Sequence, residues 1–161
     1  MNWTAALATI GSVLALAAAP AFGQVLAVTG PTGEARTLSM AALAALPHQS
    51  VTLNVHGQTA AYQGVAISTL TALVGAPQGE ALKGPAFADV VIVKAADGYR
   101  IVLSLAETDP AIRSEAMIVA DRKDGQPLDA HEGPLRLVVE GDKRPARSAR
   151  SIQSVEVRAL P

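Results

Sequence analysis

At 161 residues the chain has room for one globular domain and a leader, and half of its residues are hydrophobic, enough for a substantial core. A formal net charge of −1 gives no global attraction to nucleic acid or to an anionic membrane surface. The absence of cysteine excludes disulfides, thiolate nucleophiles, iron–sulfur clusters and cysteine-ligated metals, and an aromatic content of 3% leaves Ala and Val to fill much of the core.

The first 23 residues carry no charged side chain. An apolar run from Leu7 to Ala19 is followed by small residues at Ala19, Ala21 and Gly23. This is the pattern of a secretory signal peptide over residues 1–23, cleaved after Ala21 or Gly23. The run is short for a membrane span of about 20 residues. No Lys or Arg precedes it, which keeps an uncleaved anchor as the alternative. The expectation is a periplasmic or secreted domain over residues 24–161, without a stable membrane span once the leader is removed.

Val25 to Thr29 reads as a first strand, with a Gly30-Pro31-Thr32-Gly33 turn after it. Arg36 to Leu38 is extended. Ser39 can cap a short helix from Met40 to Leu46, which Pro47 ends. Val51 to Val55 alternates as a strand does, His56-Gly57-Gln58 turns the chain, and Ala60 to Tyr62 returns as a short strand. Gly64 to Ile67 leads to a second helix, with Ser68 as its cap, Leu70, Leu73 and Val74 as its apolar face and Gly75 as its stop.

Val90 to Ala95 and Arg100 to Leu105 form the clearest hairpin, joined through Ala96-Asp97-Gly98-Tyr99. Ser104 to Glu107 fits a capping box, opening a short helix or turn that Pro110 limits. Met117 to Ala120 is a short buried strand, Asp124 to Pro127 a turn. Leu135 to Val139 and Val155 to Val157 are the closing strands. Many short strands, three short helices and no βαβα rhythm predict a β-rich mixed α+β fold.

Few catalytic patterns are present. The sequence has no G-x-S-x-G, G-x-G-x-x-G or G-x-x-x-x-G-K-[ST] motif. His48, His56 and His131 lack the spacing that would pair two imidazoles on one helix face, and read as loop residues. Asp121, Asp124, Asp129 and Glu132 surround a turn. Lys123 stands where a calcium loop would need an oxygen ligand, so a solvated turn is expected. No catalytic or metal-ligating residue is assigned. Lys143, Arg144, Arg147 and Arg150 form the one locally basic segment, stiffened by Pro145. Guanidinium forks suit phosphate, so this is the candidate anion site.

Four stretches in consistent order resemble the molybdopterin-binding domain of the sulfite-oxidase superfamily. Tyr62 to Leu70 (YQGVAISTL) resembles W-x-G-V-x-L-x-x-L, with Tyr for Trp. Ala96 to Arg100, then Leu103 to Leu105, resemble the D-G-Y hairpin and its short helix. Met117 to Ala120, then Asp124 to Leu128, resemble L-L-A…N-G-x-P-L. Gly133 to Gly141 (GPLRLVVEG) resembles G-P-L-R-L-V-V-P-G, and Arg147-Ser148-Ala149-Arg150 stands where the family has K-S-V-K before a tryptophan, here Ser151.

The resemblance implies a β-rich α+β cradle for a pyranopterin, its phosphate and a molybdenum atom. It also implies a metal-binding cysteine before the W-x-G-V segment. Here that region is Val51 to Tyr62. Asn54, Val55 or His56 stands in place of the thiolate, and none is an equivalent soft anionic ligand. Family enzymes loaded in the cytoplasm cross the membrane folded, on a twin-arginine leader, whereas the first arginine here is Arg36. The expectation is therefore an exported, non-catalytic molybdopterin-binding-like domain. It would bind an anionic small molecule or a periplasmic protein through the former cofactor groove, at Lys143, Arg144, Arg147, Arg150 and His56. The alternative is a divergent molybdopterin-dependent oxidoreductase without a cysteine ligand, with His56 as a candidate substitute.

Overall fold

The computed structural model describes residues 25–55 and 57–161; the leader expected over residues 1–23 and His56 lie outside the described residues. The strands are β1 (Val25–Thr29), β2 (Ala35–Ser39), β3 (His48–Val55), β4 (Gln58–Ala66) and β5 (Val90–Ala95). They continue with β6 (Arg100–Ser104), β7 (Met117–Lys123), β8 (Gln126–Pro127), β9 (Arg136–Val139) and β10 (Ile152–Arg158). Two short helices, α1 (Met40–Ala44) and α2 (Ile67–Ala72), join them. The β-rich α+β class expected from the sequence is the one observed.

One sheet has the order β2-β1-β10-β5-β6. Its centre is a parallel pair, β1 with β10, in which Val28 lies opposite Val155. The other sheet has the order β3-β4-β7-β8, and β9 pairs with β7 through Ile118 opposite Val138 and Ala120 opposite Arg136. Alternation decides which side chains face inward. Val91, Val93, Ile101 and Leu103 of the β5–β6 hairpin are buried with Leu26, Val28, Val155 and Val157, and they meet Val65, Val119, Leu137 and Val139 of the second sheet. A smaller cluster (Val51, Leu53, Tyr62, Ile118, Ala120 and Val138) forms with the alternate residues of the second sheet. Tyr62 is the one aromatic residue in either cluster, as the composition requires.

Local chemistry sets the element ends. The Ser39 hydroxyl accepts the Ala42 N–H at 3.2 Å and opens α1. The expected cap of α2 is corrected: Ala66 holds the cap position with no side-chain bond, because β4 runs through Ala66. Ser68 lies inside the helix, buried, and its carbonyl accepts the Thr71 hydroxyl at 3.1 Å. Gly75, at φ 76°, ends the segment, and Arg36 Nε donates to the Leu73 carbonyl at 2.8 Å. Glu107 accepts the Ser104 N–H at 3.0 Å, one half of the expected capping box. Among the described residues no helix is long and apolar enough to cross a membrane.

Candidate functional site

A bulge and a buried arginine shape one end of the second sheet. Strand β9 is buried along its whole length, and Arg136 is its one charged residue, 5% exposed. An ionised side chain at such a position needs partners. One comes from four residues back along the chain, Glu132, and one, Tyr62, from 74 residues away on β4. Arg136 Nη1 donates to the Tyr62 hydroxyl at 2.8 Å and pairs with Glu132 Oε2 at 3.1 Å. The Tyr62 hydroxyl donates to the same Glu132 oxygen at 3.1 Å, and Lys123 Nζ donates to Glu132 Oε1 at 2.9 Å. The guanidinium also lies over the Tyr62 ring, 5.0 Å from its centroid.

Burial opposes ionisation of Glu132 and is its largest single influence. The Lys123 hydrogen bond, the Arg136 charge and the Tyr62 hydroxyl together outweigh it and hold the carboxyl below the ordinary range. Burial pushes the Tyr62 phenol up. Hydrogen bonding to Glu132 pushes the Lys123 ammonium up. One donor is left over. Arg136 Nε is buried and meets no acceptor among the described residues, an arrangement that costs about 1–3 kcal/mol wherever it is left dry and unpaired.

Two concavities, each of about 590 Å³, are lined in part by Arg136. One is bounded by the β5–β6 turn at Ala96, Asp97 and Tyr99 and by the segment Pro145 to Ser151. The other is bounded by the β3–β4 hairpin at Leu53, Thr59, Ala60 and Tyr62, with Lys123 and Glu132. Arg136 and Arg150 line both. The acidic residues of the lining are already engaged. Asp97 accepts the Tyr99 N–H at 2.9 Å, Asp124 accepts the Ala61 N–H at 2.9 Å, and Glu132 holds its three donors. Arg150 Nη1 contacts His131 Nε2 at 2.6 Å, and among the described residues Arg150 has no carboxylate partner.

The basic segment expected from the sequence is thus divided. Arg150 reaches the groove, in one concavity with the Leu53–Tyr62 hairpin. Arg147 lines neither concavity. Its Nε and Nη2 bind Asp142 at 2.9 and 2.7 Å, and its Nη1 lies 3.3 Å from both Glu107 oxygens. Lys143 and Arg144 are exposed in the loop and line neither concavity. His56 lies outside the described residues. Tyr62, Lys123, Glu132 and Arg136 were not singled out as site residues by sequence reasoning. The signal was Arg136 itself, a charge inside the apolar run Leu135 to Val139.

No protein-family model and no curated protein matches the sequence. Among solved structures, the chain is similar to the sulfane dehydrogenase SoxCD from Paracoccus pantotrophus, with a TM-score of 0.65 and 15% identity. The fold is sulfite-oxidase-like. The match covers 85% of this chain and 38% of that chain, and at this identity it carries the fold and not the activity.

Among the described residues of the hairpin that the resemblance points to, none fits a protein-ligated molybdenum. The stretch that would hold the ligand is a tight hairpin, in register from Val51 opposite Tyr62 to Val55 opposite Gln58. It contains no cysteine. Its described polar side chains near the turn are Asn54, Gln58 and Thr59, none a soft anionic donor. Among the described residues no three His, Asp or Glu side chains converge as a metal site needs. The same groove does suit an oxyanion, because the guanidinium groups of Arg136 and Arg150 both line it.

Proposed function

We propose that the chain is an exported, non-catalytic domain that binds an anionic ligand in the groove between the β5–β6 turn and the β3–β4 hairpin. The observation that carries this reading is that Arg136 and Arg150 are shared by both concavities. A ligand oxyanion between them would be offered donors from two guanidinium groups. The cysteine-free hairpin supports a role without molybdenum chemistry. The uncharged leader supports export to the periplasm.

The test uses protein purified from the periplasm of an expressing host. Molybdenum is measured by mass spectrometry and pterin by fluorescence after oxidation. Inorganic phosphate is titrated by calorimetry against the wild type and Arg150→Ala. The expected result is no stoichiometric molybdenum or pterin, and phosphate binding that Arg150→Ala weakens by more than the roughly 0–1 kcal/mol typical of an exposed charge. Stoichiometric molybdenum and pterin would overturn the reading in favour of a divergent molybdopterin-dependent oxidoreductase.

A further inference from the structure

The groove is two chambers with a basic waist. Two openings of equal size, about 590 Å³ each, share Arg136 and Arg150 and no other lining residue. A terminal anion, such as a carboxylate or a phosphate monoester, carries one substituent and could fill one chamber. A ligand that uses both must keep its negative charge in the middle, with a substituent on each side. Among common biological oxyanions, a carboxylate has only one substituent and a sulfate diester has no charge. A phosphodiester keeps one negative charge and two free oxygens while carrying two substituents, and two oxygens match two guanidinium groups.

We propose that the ligand is a small organic phosphodiester, with its phosphate held at Arg136 and Arg150 and one substituent in each chamber. The proposal rests on the anion-binding reading above and deepens it. The walls suit modest apolar or planar groups. One chamber offers Ala96 and Tyr99, the second largely exposed, and the other offers Leu53 and Ala60. The wall carboxylates each hold a donor of the protein, Asp97 and Asp124 a backbone N–H and Glu132 the Lys123 ammonium.

Three probes separate the possibilities: inorganic phosphate, phenyl phosphate and diphenyl phosphate, titrated into the full mature domain. Thr59→Trp and Ala96→Trp each fill one chamber, from exposed positions where folding is checked by circular dichroism. At pH 5, below the second phosphate pKa of about 6 so that both esters are monoanions, the second ring is expected to tighten binding about tenfold over phenyl phosphate, from the apolar surface it buries. Each Trp variant is expected to erase that gain, so that diphenyl phosphate binds it no more tightly than phenyl phosphate does. If phosphate binds but the second ring adds nothing, or if its gain survives both Trp variants, the two-chamber proposal is wrong and the anion-binding reading stands. If none of the three probes binds, the anion-binding reading fails and takes this proposal with it.

Discussion

Arg147 grips Asp142 with two parallel donors, Nε to Oδ2 at 2.9 Å and Nη2 to Oδ1 at 2.7 Å. This fork, with Glu107 on the third nitrogen, raises the proton affinity of a side chain that is charged in any case. It ties the loop after β9 to the turn after β6. Arg147→Lys keeps the charge and loses the fork. The variant is expected to lose about 1 kcal/mol in urea unfolding, the upper end for a partly exposed pair. Phosphate affinity is expected to stay within about twofold, since the two sites share no partner. A large loss of phosphate binding in this variant would return Arg147 to the site.

Glu132 predicts an acid-sensitive limb of stability. Its folded pKa lies below the unfolded one, because Lys123, Arg136 and Tyr62 outweigh the burial that opposes ionisation. The stabilisation is therefore present above the unfolded carboxyl value of about 4.3 and is lost as pH falls through the folded value. Glu132→Gln is expected to be less stable than wild type by roughly 1.5–3 kcal/mol at pH 7, the range for hydrogen bonds to a charged group. It should lose less than wild type on acidification below that point. Urea midpoints measured from pH 7 to 3 give both quantities, and parallel curves would count against the assignment.

Asp121 is the extra residue where the β4–β7 register shifts between Gln63 and Gly64. It is 9% exposed, and Oδ1 has no partner among the described residues. His48 Nε2 lies 3.3 Å from Oδ2, while His48 Nδ1 lies 2.8 Å from the Leu46 carbonyl. His48→Ala strips the carboxylate of this contact and is expected to cost roughly 1–3 kcal/mol. Adding Asp121→Ala should recover part of the loss, and a strictly additive double mutant would show that the two residues are uncoupled.

Gly64 is predicted to be intolerant of any side chain. A Cβ there would run into the Val119 carbonyl and the Ala120 Cα, both backbone atoms of the neighbouring strand. Gly64→Ala must push β4 off β7 and is expected to cost at least about 1–3 kcal/mol, the range for overpacking a filled interior. Thermal unfolding checks it, and a wild-type midpoint would mean the strands yield without cost.

The sequence was most legible where one strand could be read without its neighbours. The β5–β6 hairpin follows from alternation and a Gly-containing turn, and β1 runs over the residues its apolar pattern marked out. Strand β4 was read too short. Gly64 and Ala66 are poor strand formers, and it is the close approach of β7 that keeps them extended. The site was hidden for a related reason. Tyr62 meets Glu132 and Arg136 only because β4 and β9 flank β7, a pairing no local pattern encodes. Charge density pointed to Lys143 through Arg150, but density alone does not say which guanidinium is spent on a neighbouring carboxylate.

The parallel pairing of β1 with β10 also governs when the molecule can be completed. β10 is the middle strand of its sheet, between β1 and β5, so residues 25–39 and residues 90–104 stay separate halves until residues 152–158 arrive. A chain emerging in order from a ribosome or a translocation pore cannot close this sheet early. Its two halves are joined only once β10 lies between them.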